Sequence, residues 1–138
     1  MERTGAMIFQ LRVYGLPVPQ GRPRAFVTPS GHASVYDPKK SKDWKNLVRE
    51  QVISAERPTE PWRGAIELSL TFFLPRPVSL PKKVIHHTKR PDCDNLAKAV
   101  KDALKGLVYH DDSQVVELHV EKGYDSTPGV EIHAMELS

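Results

Sequence analysis

The stretch Asp94-Asn95-Leu96-Ala97-Lys98-Ala99-Val100-Lys101-Asp102-Ala103-Leu104-Lys105-Gly106-Leu107 decides the fold. Leu96, Ala99, Val100, Ala103, Leu104 and Leu107 recur at i, i+3, i+4, i+7 and i+8, so one stripe of a helix is apolar and turns towards a core. The helix is expected from about residue 95 to 105, with Asp94 as its N-cap and Gly106 as its stop. Upstream, residues 64–74 alternate, with Ile66, Leu68, Leu70, Phe72 and Leu74 on one face and Glu67, Ser69 and Thr71 opposite. That pattern is a half-buried strand, expected near the centre of a sheet. Downstream, residues 115–122 and 130–135 read as two further strands around a loop holding Pro128-Gly129.

Working outward, residues 7–14 read as a first strand. Residues 25–28 and 33–36 flank Pro29-Ser30-Gly31-His32 as a short hairpin with a four-residue turn. Residues 41–55 form another helix, with Ser41 as N-cap and Trp44, Leu47, Val48, Val52 and Ala55 at helical spacing, ended by Pro58 and Pro61. The order strand, hairpin, helix, strand, helix, strand, strand predicts an α+β fold. A single compact domain over residues 1–138 is expected, a mixed β-sheet with helices packed on one face.

The bulk numbers agree with that reading. A chain of 138 residues suits one core. Its 39% hydrophobic and 27% charged content is ordinary for a soluble protein. Twelve prolines, clustered at 17–38, 58–61 and 75–81, imply long stiff connections rather than a plain bundle. One cysteine, Cys93, excludes an internal disulfide and multi-cysteine zinc patterns. No run is long enough to span a membrane, and the N-terminus lacks the apolar region of a signal peptide, so a cytoplasmic protein is expected.

Chemistry gathers around the helix quoted first. Asp92 and Asp94 precede it, Lys98 lies one turn on, Asp102 continues the polar face, and Asp111-Asp112 follows in the link to the next strand. Carboxylates crowded together oppose joint ionisation unless a cation neutralises them. Hard oxygen donors of this type suit Mg²⁺ or Mn²⁺. Asp92, Asp94 and one of the late pair would be the metal ligands, and Lys98 a positive charge aimed at phosphate or water. Either motif alone is weak, because Asp-x-Asp before a helix is usually a cap and Asp-Asp before a strand is usually a turn. Joined by one amphipathic helix, with Asn95 and Lys98 at fixed offsets, they are specific. An acidic metal pocket in a chain of net charge +3 points to phosphate chemistry on nucleic acid.

The block from Arg90 to about Lys122 resembles the RusA-like endodeoxyribonucleases, Mg²⁺-dependent resolvases of four-way (Holliday) junctions often carried by phages and prophages. Their pattern, Asp-x-Asp-Asn-Leu-x-Lys-x-x-x-Asp-Ala-Leu and then Asp-Asp-x-Gln-Val, is met by Asp92-Cys93-Asp94-Asn95-Leu96-Ala97-Lys98, Asp102-Ala103-Leu104 and Asp111-Asp112-Ser113-Gln114-Val115. Residues 15–24 are similar to the N-terminal element of phage-type members. The resemblance implies Asp92, Asp94, Lys98 and Asp112 as catalytic residues, with the three carboxylates on Mg²⁺ (Mn²⁺ as a substitute). It also implies hydrolysis leaving a 5′-phosphate and a 3′-hydroxyl. One departure is His86-His87-Thr88-Lys89-Arg90 where some members carry a run of arginines, which implies weaker junction binding, or binding shifted towards lower pH.

Basic residues gather at Arg22 and Arg24, at Lys39, Lys40, Lys42 and Lys45, and at Lys82, Lys83, Lys89 and Arg90. Phosphate contacts from such clusters give affinity with little sequence information, which suits recognition of junction shape. Arg22, Arg24, Lys89 and Arg90 are the expected DNA contacts, whereas residues 39–45 read equally well as a solvated helix start. No histidine is assigned to catalysis, and Cys93 and Trp62 read as packing residues. Two symmetric cuts need two sites, and a chain this short carries one, so a two-fold homodimer is expected. The reading is a structure-selective endodeoxyribonuclease acting on branched DNA, with no membrane and no small-molecule cofactor. The rivals are a junction-binding module without hydrolysis and a Mg²⁺-dependent phosphotransferase, the latter lacking any Gly-rich phosphate loop.

Overall fold

The computed structural model describes residues 7–20, 25–27, 33–35 and 39–137. Its elements are β1 (Ile8–Tyr14), β2 (Ala25–Val27), β3 (Ala33–Val35), α1 (Lys39–Ser54), β4 (Ile66–Leu74), α2 (Cys93–Ala103), a 3-10 turn (Asp112–Gln114), β5 (Val115–Tyr124) and β6 (Gly129–Glu136). β1, β6, β4 and β5 form one sheet in that spatial order, and β2 pairs with β3 in a separate antiparallel ribbon. β4 is parallel to β5 and antiparallel to β6, so the sheet is mixed. The parallel pair is joined by the crossover that contains α2, the connection a parallel pair requires.

The alternation in β4 fixes which face is covered. Ile66, Leu68, Leu70, Phe72 and Leu74 are all buried, and register sets Leu68, Leu70 and Phe72 against Ala134, Ile132 and Val130 of β6. Phe9 and Val13 of β1 extend the same surface. Trp44, Val48 and Val52 of α1 and Leu96, Ala99, Val100 and Ala103 of α2 close over it in one core. Both helices therefore lie on one face of the sheet, as expected. Each such large side chain contributes about 1.5–3 kcal/mol by leaving water. The opposite face carries Arg12, Glu67, Thr71, Glu131 and His133, none of them buried. Gly129 is needed where β6 meets β1, because a Cβ there would lie 2.1 Å from the Val13 carbonyl oxygen.

Three boundaries differ from the sequence expectation. α1 begins at Lys39, so Ser41 is a buried residue inside the helix rather than its cap. Lys39 and Lys40 are good helix formers and extend the first turn. α2 begins at Cys93 with Asp92 as N-cap, which moves Asp94 into the first turn. It ends at Ala103, and Gly106, at φ +77°, sits in the turn beyond, its N–H donating to Tyr109 O at 2.7 Å. The hairpin is present as β2 and β3, while its turn residues lie outside the described residues. Trp62 is buried, as the packing expectation held.

Candidate active site

α2 presents acidic groups at both of its ends. At its start, Asp92 holds the N-cap position but its side chain makes no capping hydrogen bond, and Asp94 sits in the first turn. Both are exposed, and among the described residues neither has an ion-pair partner. A capping aspartate would spend its carboxylate on the helix N–H groups; this one leaves it free. The positive end of the helix dipole favours anionic charge here. Lys98 is exposed on the following turn.

The loops around this end form a cleft of about 850 Å³, lined by Pro17, Gln20, Leu74, His87, Arg90, Asp92 and Asp94 among others. The Gln20 N–H donates to Asn95 O at 2.9 Å, which ties the Pro-rich segment after β1 to the first turn of α2. Lys122 of β5 donates to Lys89 O at 2.6 Å and Pro91 O at 2.9 Å, fixing the approach to Asp92 across a cis Arg90–Pro91 bond. Arg76 donates to the Val84 and Pro81 carbonyls and lies over the Tyr124 ring, whose other neighbour is His87, 4.8 Å between ring centres. Oε1 of Gln20 and Nδ1 of His87, both in the cleft wall, are buried without a hydrogen-bond partner among the described residues. Lys89 and Arg90 are exposed beside it.

The second acidic group lies at the other end. Lys105 Nζ is 3.5 Å from Asp102 and 3.8 Å from both Asp111 and Asp112, and Lys45 Nζ is 3.1 Å from Asp102. Partial burial pushes the Asp102 carboxyl up, but Lys45 and then Lys105 outweigh it, and the pKa falls below the ordinary aspartate value. Lys105 is raised, first by Asp112 and then by Asp102 and Asp111. Asp111 is lowered first by the Ser113 hydroxyl and then by the Ser113 N–H, which donates to it at 3.0 Å. Gln114 locks this turn. Its Oε1 accepts from His110 N and Asp111 N at 2.8 Å each, and its Nε2 donates to Trp62 O at 2.8 Å and Gly64 O at 3.0 Å. Arg49 caps the end of α2, donating to Ala103 O at 2.8 Å and Lys105 O at 2.9 Å. Buried Tyr109 donates to Lys101 O at 2.6 Å; burial first, then the nearby carboxylates, push its hydroxyl pKa up.

The structure thus brings Asp92 together with Asp94, and Asp112 together with Asp111 and Asp102, but not one set with the other. The 11 residues of α2 span roughly 16 Å. Among the described residues no group of three acidic, histidine or cysteine side chains is close enough to hold a metal ion. Arg22 and Arg24 lie outside the described residues. Sequence reasoning missed Arg49, Lys105 and Lys122 and read Lys45 only as one of a basic cluster; the partners of Lys45, Arg49 and Lys122 are distant in sequence, while those of Lys105 are the nearby Asp102, Asp111 and Asp112. Gln114 was visible as a motif position, without a role.

A profile of the family described as "Endodeoxyribonuclease RusA" matches residues 15–135. A protein of Bacillus subtilis (strain 168) named "Uncharacterized protein YqaN" is 40% identical over 136 residues, covering 91% of this chain and 94% of its own length. The profile covers both acidic groups, the helix between them, β4, β5 and all but the last residue of β6, and begins just after β1. No helix among the described residues is long and apolar enough to cross a membrane. The chain belongs to the endodeoxyribonuclease RusA family.

Proposed function

We propose that this protein is a Mg²⁺-dependent, structure-selective endodeoxyribonuclease that resolves four-way DNA junctions by paired symmetric cuts. The observation that carries this reading is the free carboxylate pair, Asp92 and Asp94, lining a cleft beside Arg90 at a helix start in a member of a nuclease family. A binding module would gain nothing from unpaired acidic charge facing phosphate. The donor chemistry fits a hard divalent cation, with Mn²⁺ as a substitute. Asp92, Asp94 and Asp112 are the residues that would hold it, and the chemistry it would supply there is polarisation of the phosphodiester and activation of water.

The chain's own residues divide the remaining work. Asp92 and Asp94 would hold the cation, and Lys98 holds positive charge towards the scissile phosphate. Water adds to phosphorus, the bond to O3′ breaks, and that oxygen leaves with a proton, giving a 5′-phosphate and a 3′-hydroxyl. Lys89 and Arg90 hold the backbone beside the cleft, with Arg22 and Arg24 as further contacts. Since α2 separates Asp92 and Asp94 from Asp112, one metal can use all three only when a two-fold partner supplies the second group. That requirement also yields the two sites that two symmetric cuts need.

The separation of the two acidic groups also favours a second reading, a junction-binding module in which Asp112 serves only Lys105. Cleavage of a synthetic four-way junction in Mg²⁺, beside a linear duplex of the same sequence, separates the two. Paired nicks on the junction, absent from the duplex and lost in Asp94→Asn, are expected. Tight junction binding without cutting in Mg²⁺ or Mn²⁺ would support the binding module instead.

A further inference from the structure

Residues 75–92 join β4 to α2 without a helix or strand. Loops of that length in a compact fold are usually either functional or disordered. This one is built as a rigid arm. The Leu80 N–H donates to Pro77 O at 3.1 Å and the Val84 N–H to Pro81 O at 3.0 Å, which makes two successive β-turns. Arg76 closes both, donating to Pro81 O at 2.5 Å and Val84 O at 2.6 Å, while its guanidinium lies 5.3 Å from the centre of the Tyr124 ring. Pro75, Pro77 and Pro81 fix their own φ angles and remove further freedom. His87 meets the same Tyr124 ring, and Lys122 holds the carbonyls of Lys89 and Pro91, so the arm runs pinned into the cleft of Asp92.

The corners of the two turns carry unlike chemistry. Val78 stands at the first and is fully exposed; Lys82 and Lys83 form the second and are exposed as well. A turn corner ordinarily takes Gly, Asn, Asp or Ser, and a β-branched side chain is stiff there. Val78 buries no surface, so it adds nothing to folding stability and its apolar face is left for a partner. The surrounding charge selects that partner. Two lysines, with Lys89 and Arg90 further along the same loop, fit a polyanion. Proteins that part DNA bases do so with an apolar side chain inserted at a base step, beside cations that hold the backbone. We propose that residues 77–83 form a wedge that enters the open centre of branched DNA, with Val78 against an exposed base-pair face and Lys82 and Lys83 on the flanking phosphates. Burying one valine does not offset the unstacking of an intact base step, so the wedge gains nothing on a linear duplex. At a branch point the stacking is already interrupted, and the same burial is net favourable. The wedge therefore distinguishes a branch from a duplex, while Lys89 and Arg90 hold either backbone.

This proposal rests on the reading that the substrate is branched DNA, and its test is made in EDTA, where nothing is cut. A four-way junction carrying 2-aminopurine at the branch point is titrated with protein, beside a linear duplex of the same sequence. Unstacked 2-aminopurine is the brighter form, so wild type is expected to raise the fluorescence of the junction and not of the duplex. Val78→Ser should bind the junction about tenfold more weakly, bind the duplex as wild type does, and give no rise in fluorescence. Val78→Leu should restore both. Ile53→Ser, which removes an exposed apolar side chain from α1, should leave every readout unchanged. Val78→Ser matching wild type in junction affinity and fluorescence would overturn the proposal. So would Val78→Ser altering only self-association in sedimentation, which would assign the corner to a second copy of the chain. Loss of branch preference in Val78→Ser, in a protein that cuts no junction in Mg²⁺, would keep the wedge and discard the nuclease reading. Junction cutting by Val78→Ser at wild-type affinity and fluorescence would do the reverse.

Discussion

Asp102 shows what its neighbours do to a single carboxylate. Two lysines hold its pKa below the ordinary value of 3.8 despite partial burial. A depressed folded-state pKa means that the unfolded chain binds more protons in the interval between the two values. The stabilisation is therefore complete above about pH 4 and is lost as pH falls through the folded value. Asp102→Asn should be less stable than wild type near neutrality and converge with it in acid, as urea midpoints taken across that range will show. Gln114 is the other residue whose role the geometry defines. Gln114→Ala leaves two partly buried carbonyls and two exposed N–H groups of the acidic turn without this partner, and a loss of about 1–2 kcal/mol in urea unfolding is expected. Gln114→Glu should recover part of it, since a carboxylate still accepts from His110 and Asp111 but cannot donate to Trp62 and Gly64. The sequence motif marked Gln114 without disclosing this, because its four partners come from two segments some 50 residues apart.

Among the elements, those with a strong period were readable and those fixed by distant partners were not. β4 alternates through all nine residues, and α2 carries an unbroken apolar stripe, so both appeared in the sequence within two residues of their ends. The cap of α2 moved from Asp94 to Asp92 because either aspartate satisfies the cap rule, and local preference does not choose between them. The end of α2 depends on Arg49, which reaches across from α1 to the carbonyl of its last residue, Ala103, and to that of Lys105 in the turn beyond. Nothing in the local sequence announces that contact. Arg49→Met keeps the stem and removes both bonds, and should cost about 1.5–3 kcal/mol. Hydrogen exchange should rise first in residues 101–106, since those amides share the turn that Arg49 secures.

At the scale of the whole molecule, charge sits where it is needed in spite of a net value of only +3. Lys89 and Arg90 stand beside the cleft that holds Asp92 and Asp94. Arg90→Ala should weaken junction binding uniformly across sequences and flatten the log–log salt dependence of Kd by about one unit, measured in EDTA so that no cutting intervenes. The one-sided packing of the sheet, its mixed topology and the family were all legible in advance. The separation of the two acidic groups was not, since spacing along a chain does not say to which end of a helix a loop returns.

In the proposed nuclease, Asp92 and Asp94 of one copy act with Asp112 of another. Two inactive variants, Asp94→Asn and Asp112→Asn, refolded together and incubated with a four-way junction in Mg²⁺, test it most directly. A mixed dimer would carry both substitutions in one site and none in the other. Cutting, lost in each variant alone, is expected to return in the mixture as single nicks rather than paired ones. A mixture as inactive as its components, with mixed dimers shown to be present, would mean that the two substitutions damage separate sites, and would contradict it.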